Sequence, residues 1–474
     1  MMEINLMHAS SPRHPLARSR VLAASVLAVT LSVLGASTAS SSASADPSAH
    51  SMASERSAKQ VHKKKVRKVK VARTLFGVHD RYLTSLTHSS TGSIRLWDAG
   101  TTWPDIEPTQ GTFDWQPLDD AVTAAHANHT QVTLVLGVSP SYAAASTIDA
   151  PNIAMYKAYL KAVMQRYSAK NWGYRGIAAY QVWNEVNIKT FWSGTTAQLD
   201  DLTKAAYDVR NQVDKGALLV APAMVTRLGF EQKGIGTFYS SKVSSTHKPV
   251  WRYVDAISLN LYPPQTVALK GGGTRFSTPE DTMVLLKTVR RLLAKAKVPS
   301  SLPIWNTEVN YGIGSGVAAT PISDSRQVAN VIRTYLLNAA AGVKRVDWYA
   351  WDMGQLPGGG TLGNTLLTDP ADRAGGVLTP AGRAFARVES WMKGTLIGTR
   401  TKQPCIADRN GTYTCEVKYR HGVGRVYWNP YRSAKVKLVH SARTKVDELG
   451  TSSKAKGGSK LKVSYEPVLV KSSK

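Results

Sequence analysis

The 474-residue chain contains only two cysteines, Cys405 and Cys415. Two thiols do not make a metal site, which needs more ligands. They sit ten positions apart in "CIADRNGTYTC", with Asn410-Gly411 between them. Asn-Gly favours a two-residue hairpin turn, so the pair is expected to face across two strands and to form a disulfide in an oxidising compartment. Phosphate-binding loops are also missing: "KGGGT" lacks the Gly-Lys-Ser/Thr ending and follows no suitable strand. No nucleophile-elbow sequence supports Ser/His catalysis. No cofactor is expected.

Long apolar runs are scarce as well. The one candidate is "VLAASVLAVTLSVLG" (21–35), preceded by Arg13, Arg18 and Arg20 and followed by a Ser/Ala stretch ending at Ala45. Charge, a short apolar run and small residues in that order predict a secretory signal over 1–45, hence a secreted or envelope-associated protein; the alternative is an uncleaved anchor. No membrane span is expected after cleavage.

Acid is in short supply, with 32 Asp and Glu against 60 Lys and Arg and a formal charge of +28. The imbalance is not evenly spread. Residues 56–73 carry nine basic side chains and no acid, and residues 400–474 carry 17 against 5, whereas residues 74–399 carry 31 against 24. The basic stretch has no interleaved aromatics or recognisable binding fold, so nucleic-acid readout is unsupported. A linker over 46–73 follows. It is either a solvated, disordered segment without a partner or an arm for an anionic cell-envelope polymer.

What is abundant is alternation. Strand candidates at 75–80, 93–100, 132–138, 177–185, 217–225, 256–263, 303–310 and 346–352 are separated by segments with helical apolar spacing, such as 152–169, 196–213, 278–296 and 325–342. Thr278-Pro279-Glu280-Asp281 reads as a helix start. Eight strands alternating with helices predict an α/β fold, a (β/α)8 TIM barrel over 74–394. From 395 to 474, short β-rich runs broken by Gly, Ser, Asn and Pro predict a small antiparallel β module.

Barrel chemistry belongs at the C-terminal ends of the strands. Glu185 ends the fourth candidate in "YQVWNEVN" and Glu308 lies near the end of the seventh in "PIWNTEVN". Each is an apolar strand delivering one carboxylate beside an Asn and a Trp. Facing carboxylates suit glycosidic bond cleavage, where one protonates the departing oxygen and the other attacks or stabilises the oxocarbenium-like centre. A lone strand-end Glu would equally serve as a loop or ion-pair residue.

"RLWDAGTTWPDIEPTQGTFDWQPLD", "YQVWNEVN", "LNLYPP" and "PIWNTEVNYG" together resemble the clan A glycoside hydrolases, and are most similar to actinobacterial relatives of family 39, over about 75–393. That resemblance implies a retaining double displacement with Glu185 as acid/base and Glu308 as nucleophile. It further implies that Asn184 binds the sugar 2-hydroxyl, Arg95 and Tyr262 contact the nucleophile, and Trp351 forms a platform under the sugar. Trp97, Asp98, Trp103, Tyr142 and Trp192 are further candidates to line the cleft. Two positions depart from the pattern: Asn260 stands where many relatives have His, and Val186 replaces a frequent Pro. The implied function is hydrolysis of β-linked poly- or oligosaccharides, a carbohydrate being the partner. The alternatives are a non-hydrolytic glycan-binding or envelope protein and a transglycosylase.

Overall fold

A computed structural model describes residues 69–81, 91–169, 176–312, 321–352, 362–369, 371–372, 376–393, 395–397, 405–419 and 422–472. The expected signal segment and most of the basic linker lie outside the described residues. The end of that linker does not: Val69–Lys70 is a strand paired antiparallel with Leu396–Ile397.

Eight parallel strands form the barrel: β1 Phe76–Val78, β2 Ser93–Leu96, β3 Gln131–Val135, β4 Ala179–Gln181, β5 beginning at Leu218–Val220, β6 Ile257–Asn260, β7 Ile304–Val309 and β8 Arg345–Trp348. β5 is broken. Its first half pairs with β4, and its second half, Met224–Val225, pairs with β6. Pro222 lies in the gap and has no N–H for a ladder, while Ala221 donates to Ala256 beside β6 and Ala223 to Trp183 beyond β4, so both neighbours are held across the break. The two ends of the ladder are thus halves of one strand, and the sheet closes.

Helices at Gln116–Ala127, Ile153–Tyr167, Thr196–Val213, Gly229–Ser240, Pro279–Lys295, Asp324–Ala340 and Pro380–Met392 surround the strands. Their starts are written in the sequence. The Asp281 side chain accepts from the Thr278 backbone N–H (2.8 Å), and Asn152 accepts from the backbone N–H groups of Ala154 and Met155. At Gly77 of β1 the lack of a side chain is needed for packing: a Cβ there would run into the Asp347 carboxylate and the Ser93 hydroxyl. Those groups, with Arg345 held by Thr133 and Gln131, fill the barrel interior beneath the mouth.

The C-terminal module is antiparallel. Strands Tyr413–Tyr419, Gly422–Trp428, Val468–Ser472 and Ala442–Val446 pair in that order, and the short strands Val69–Lys70 and Leu396–Ile397 extend the sheet. Trp428 is fully buried and donates to Glu280 at the start of the 279–295 helix (2.7 Å), so the module packs against the barrel's outer helices. Cys405 and Cys415 are directly opposed and disulfide-bonded. The turn between them is not the expected two-residue type. Asp408 accepts from Gly411 through its backbone carbonyl and from Asn410 and Thr412 through its side chain, closing a longer loop in which Gly411 alone has positive φ. A two-residue type I′ turn would need positive φ at both central positions.

Candidate active site

At the C-terminal ends of β2, β4, β6 and β7, polar side chains replace the apolar filling of the barrel. Arg95 on β2 is almost wholly buried and organises them. Its Nε donates to Gln181 of β4 (2.8 Å), one Nη to Asn184 (2.7 Å) and the other to Glu308 (3.1 Å). One rigid guanidinium fork thereby ties three strands together, a geometry that lysine could not reproduce.

The two similar motifs deliver their carboxylates differently. β4 ends at Gln181, so Trp183-Asn184-Glu185 lies past the strand, and Glu185 takes a left-handed φ of 46°. For a residue with a Cβ that conformation costs on the order of 1–2 kcal/mol. Hydrogen bonds around it, Val186 to Ala223 and Ile188 to Glu185, hold it in place. Val138, beyond β3, is likewise left-handed at 69°.

Glu308 stays within β7, where the extra Thr307 is accommodated by a bulge: Asn306 pairs with Leu259, but Glu308 pairs with the next residue, Asn260. The bulge re-aims the carboxylate. Asn306 then accepts from the Leu261 backbone N–H (3.2 Å), so it repairs the strand ladder, whereas its counterpart Asn184 faces the site.

Asn260 is the centre of the arrangement. Its Nδ2 donates to Glu185 (2.9 Å) and Glu308 (3.3 Å) and approaches Asn184 (3.4 Å), while its Oδ1 accepts from Thr307 (2.9 Å). Both carboxylates are within hydrogen-bond reach of one nitrogen. Tyr262 donates to the other Glu308 oxygen (2.8 Å).

Donors are thus shared unequally. Glu308 is held by Arg95, Tyr262 and Asn260, and Glu185 by Asn260. Burial raises both carboxyls, and burial with the charge on Glu185 pushes Glu308 up to about 8. When Glu185 carries the proton that second cause vanishes, and Arg95 and Tyr262 pull Glu308 down. The pair therefore shares a proton, which is favoured on Glu185.

Other groups complete the surroundings. His79 is buried and held neutral by desolvation and Arg95, with its Nε2–H donating to the Thr307 carbonyl (2.9 Å). Tyr349 donates to Asp98 (2.6 Å), whose carboxyl burial raises. The Arg227 guanidinium lies 5.4 Å from the centre of the Tyr262 ring, and its charge lowers the Glu185 carboxyl. Gln181, His79, Tyr349 and Arg227 were missed in the sequence. A glutamine inside an apolar strand run was the available signal for the first.

The aromatic candidates divide. Trp351, just past β8, and Trp97, just past β2, are largely buried, Trp97 packing edge-on against Phe191. Trp103 does not line the mouth: it is fully buried, stacked on Tyr159 at 4.8 Å and hydrogen-bonded to Glu107. Tyr142 also bonds to Glu107, through its carbonyl, and Trp192 packs on Trp183. Among the described residues no group of three or more His, Cys, Asp or Glu is placed to hold a metal ion, and no helix is long and apolar enough to cross a membrane.

No protein-family model matches the chain, and no curated protein matches it in sequence. Solved structures do match in three dimensions. A glucosidase from Croceicoccus marinus is similar with a TM-score of 0.61 at 12% identity, covering 86% of this chain and 97% of that one. The GH51 arabinofuranosidase from Xanthomonas axonopodis pv. citri gives 0.56 at 11% identity, covering 87% and 98%. A glycoside hydrolase family 44 xyloglucanase from Paenibacillus polymyxa gives 0.55 at 11% identity, covering 86% and 98%. The chain shares their barrel fold. The 86–87% of this chain that is covered is more than the barrel of 74–394 alone, so the likeness extends beyond the barrel.

Proposed function

We propose that this protein is a retaining glycoside hydrolase of clan A type, acting on β-linked poly- or oligosaccharides by double displacement. The observation that carries the reading is the carboxylate pair bridged by Asn260. The two facing oxygens are each within hydrogen-bond distance of one nitrogen, so they are closer than the roughly 6.5 Å at which inverting pairs begin.

Roles follow from the donors. Glu308, held by Arg95 and Tyr262, is the anionic nucleophile, and Glu185 holds the proton that the departing oxygen receives. Once Glu308 is bonded to the sugar its charge is gone, so ionising Glu185 no longer sets two like charges side by side, and Glu185 can take a proton from water. The buried Asn184 Nδ2 has no partner among the described residues. An unpaired buried donor costs about 1–3 kcal/mol, and a sugar 2-hydroxyl would satisfy it. Trp351 and Trp97 are 2% and 7% exposed and offer a sugar face little surface, so the platform role of Trp351 rests on the clan resemblance alone. The family 39 likeness rests on the motifs alone, and export rests on the signal-like N-terminus.

The test is intact-protein mass after incubation with a panel of 2-deoxy-2-fluoro glycosyl fluorides, with Glu308→Gln alongside. A stoichiometric adduct on the wild type, absent from the variant, is the expected result. A folded wild type that no sugar labels would favour a glycan-binding protein on the same barrel.

A further inference from the structure

The two-stranded ribbon of the C-terminal module pairs Ala434–Lys437 with Lys460–Val463. Its register sets Lys435 opposite Lys462 and Lys437 opposite Lys460. Alternation does the rest. Ala434, Val436, Leu461 and Val463 turn inward onto a cluster with Tyr427, Leu438 and Val470, and all four lysines are exposed on the outer face. Directly opposed strand residues lie about 5 Å apart and next-but-one residues about 7 Å, so the ammonium groups stem from a compact two-by-two grid. None of the four has an ion-pair or hydrogen-bond partner among the described residues.

Like charges directly opposed across strands are destabilising. Protection of an exposed edge needs a lysine on a strand, not matched pairs. The strands of the ribbon carry no acid that could neutralise the grid, and the region around them holds 17 basic against 5 acidic side chains. An array held against its own repulsion is suited to a ligand with repeated negative charge. The ribbon strands offer no aromatic ring for a nucleobase to stack on.

We propose that this lysine face binds a linear acidic polysaccharide, anchoring the barrel on a polyanionic glycan. The choice of polysaccharide over nucleic acid rests on the glycosidase reading; the binding face does not. The probe is sodium polygalacturonate, compared with its methyl-esterified form and with a short duplex DNA. Binding is measured for the full chain, for a variant with Lys435, Lys437, Lys460 and Lys462 each changed to Gln, and for a control with exposed barrel residues Lys157, Lys161, Lys295 and Lys344 changed to Gln.

The ribbon variant should lose about tenfold or more in affinity and show a flatter salt dependence, because fewer counterions are displaced. The control should stay close to wild type, and the ribbon variant should melt no lower than wild type because repulsion has been removed. Equal losses in both variants, equal binding of the methyl ester, or tighter binding of DNA would each overturn the proposal. If Glu308 cannot be labelled while this binding holds, the glycosidase reading falls and the lysine face stands; labelling without binding gives the reverse.

Discussion

The barrel mouth and the lysine ribbon handle charge in opposite ways. At the mouth, Arg95, Glu185 and Glu308 are buried, and each charge is held by oriented partners. On the ribbon, four charges of one sign are exposed with none among the described residues. Buried charge responds to a neighbour over a few ångströms with shifted proton affinity, which is what bond cleavage needs. Exposed charge is screened within about 8–10 Å and affects mainly long-range attraction and location. Net charge is therefore a poor guide to what this protein does, although it marks where the molecule would bind.

The largest test of that separation is Glu308→Gln. Turnover should fall by roughly 10⁴-fold or more, as for loss of other nucleophiles, while polygalacturonate binding through the ribbon stays unchanged. A parallel loss of binding would show that mouth and ribbon are not independent.

Arg95→Lys probes the mouth more finely. The fork to Gln181, Asn184 and Glu308 is lost and the positive charge retained. Arg95 lowers the Glu308 carboxyl, so weakening that contact raises it. The acidic limb of the kcat/KM profile, which on the proposed mechanism reports ionisation of Glu308, should move to higher pH. A limb that stays in place would mean that Arg95 only packs the site.

Much of this comparison was legible in the sequence, but unevenly. Helices were readable to within a residue or two because caps and apolar spacing are local: 196–213 was expected and Thr196–Val213 forms. The carboxylates stood out because a strand end in a barrel has one destination. The break of β5 at Pro222 and the bulge at Thr307 were not foreseen, since both depend on which neighbour the strand pairs with. Asn260 read as a departure from a pattern, and its bridging role arises only when β4, β6 and β7 converge. The ribbon's grid was hidden for the same reason: two Lys-x-Lys segments more than twenty residues apart acquire meaning only through register.

On the module side, the disulfide gives the next effect in size. Changing Cys405 and Cys415 to Ser should cost about 2–3 kcal/mol in denaturant unfolding, the amount expected for a short closed loop. Labelling of Glu308 should persist in the native variant. Loss of both together would mean that the module supports the mouth through the Trp428–Glu280 contact.

The smallest expected effect is a gain. Glu308 is pushed up to about 8 by burial and by Glu185, against about 4.3 for an unfolded glutamate. The folded Glu185–Glu308 pair therefore holds its shared proton, carried by Glu185, more tightly than the unfolded chain does, and stability from the pair is greatest below the unfolded value and declines as pH rises toward 8. Glu185→Gln removes the like charge, so Glu308 can ionise at less cost. The melting temperature of this variant should exceed wild type by a few degrees at pH 8, and the difference should close toward pH 4. The same substitution should nearly abolish turnover of substrates with poor leaving groups, because the proton donor is gone. A site made less active and more stable by one change would mean that the repulsion between Glu185 and Glu308 is retained for chemistry, as the ribbon's repulsion is for binding.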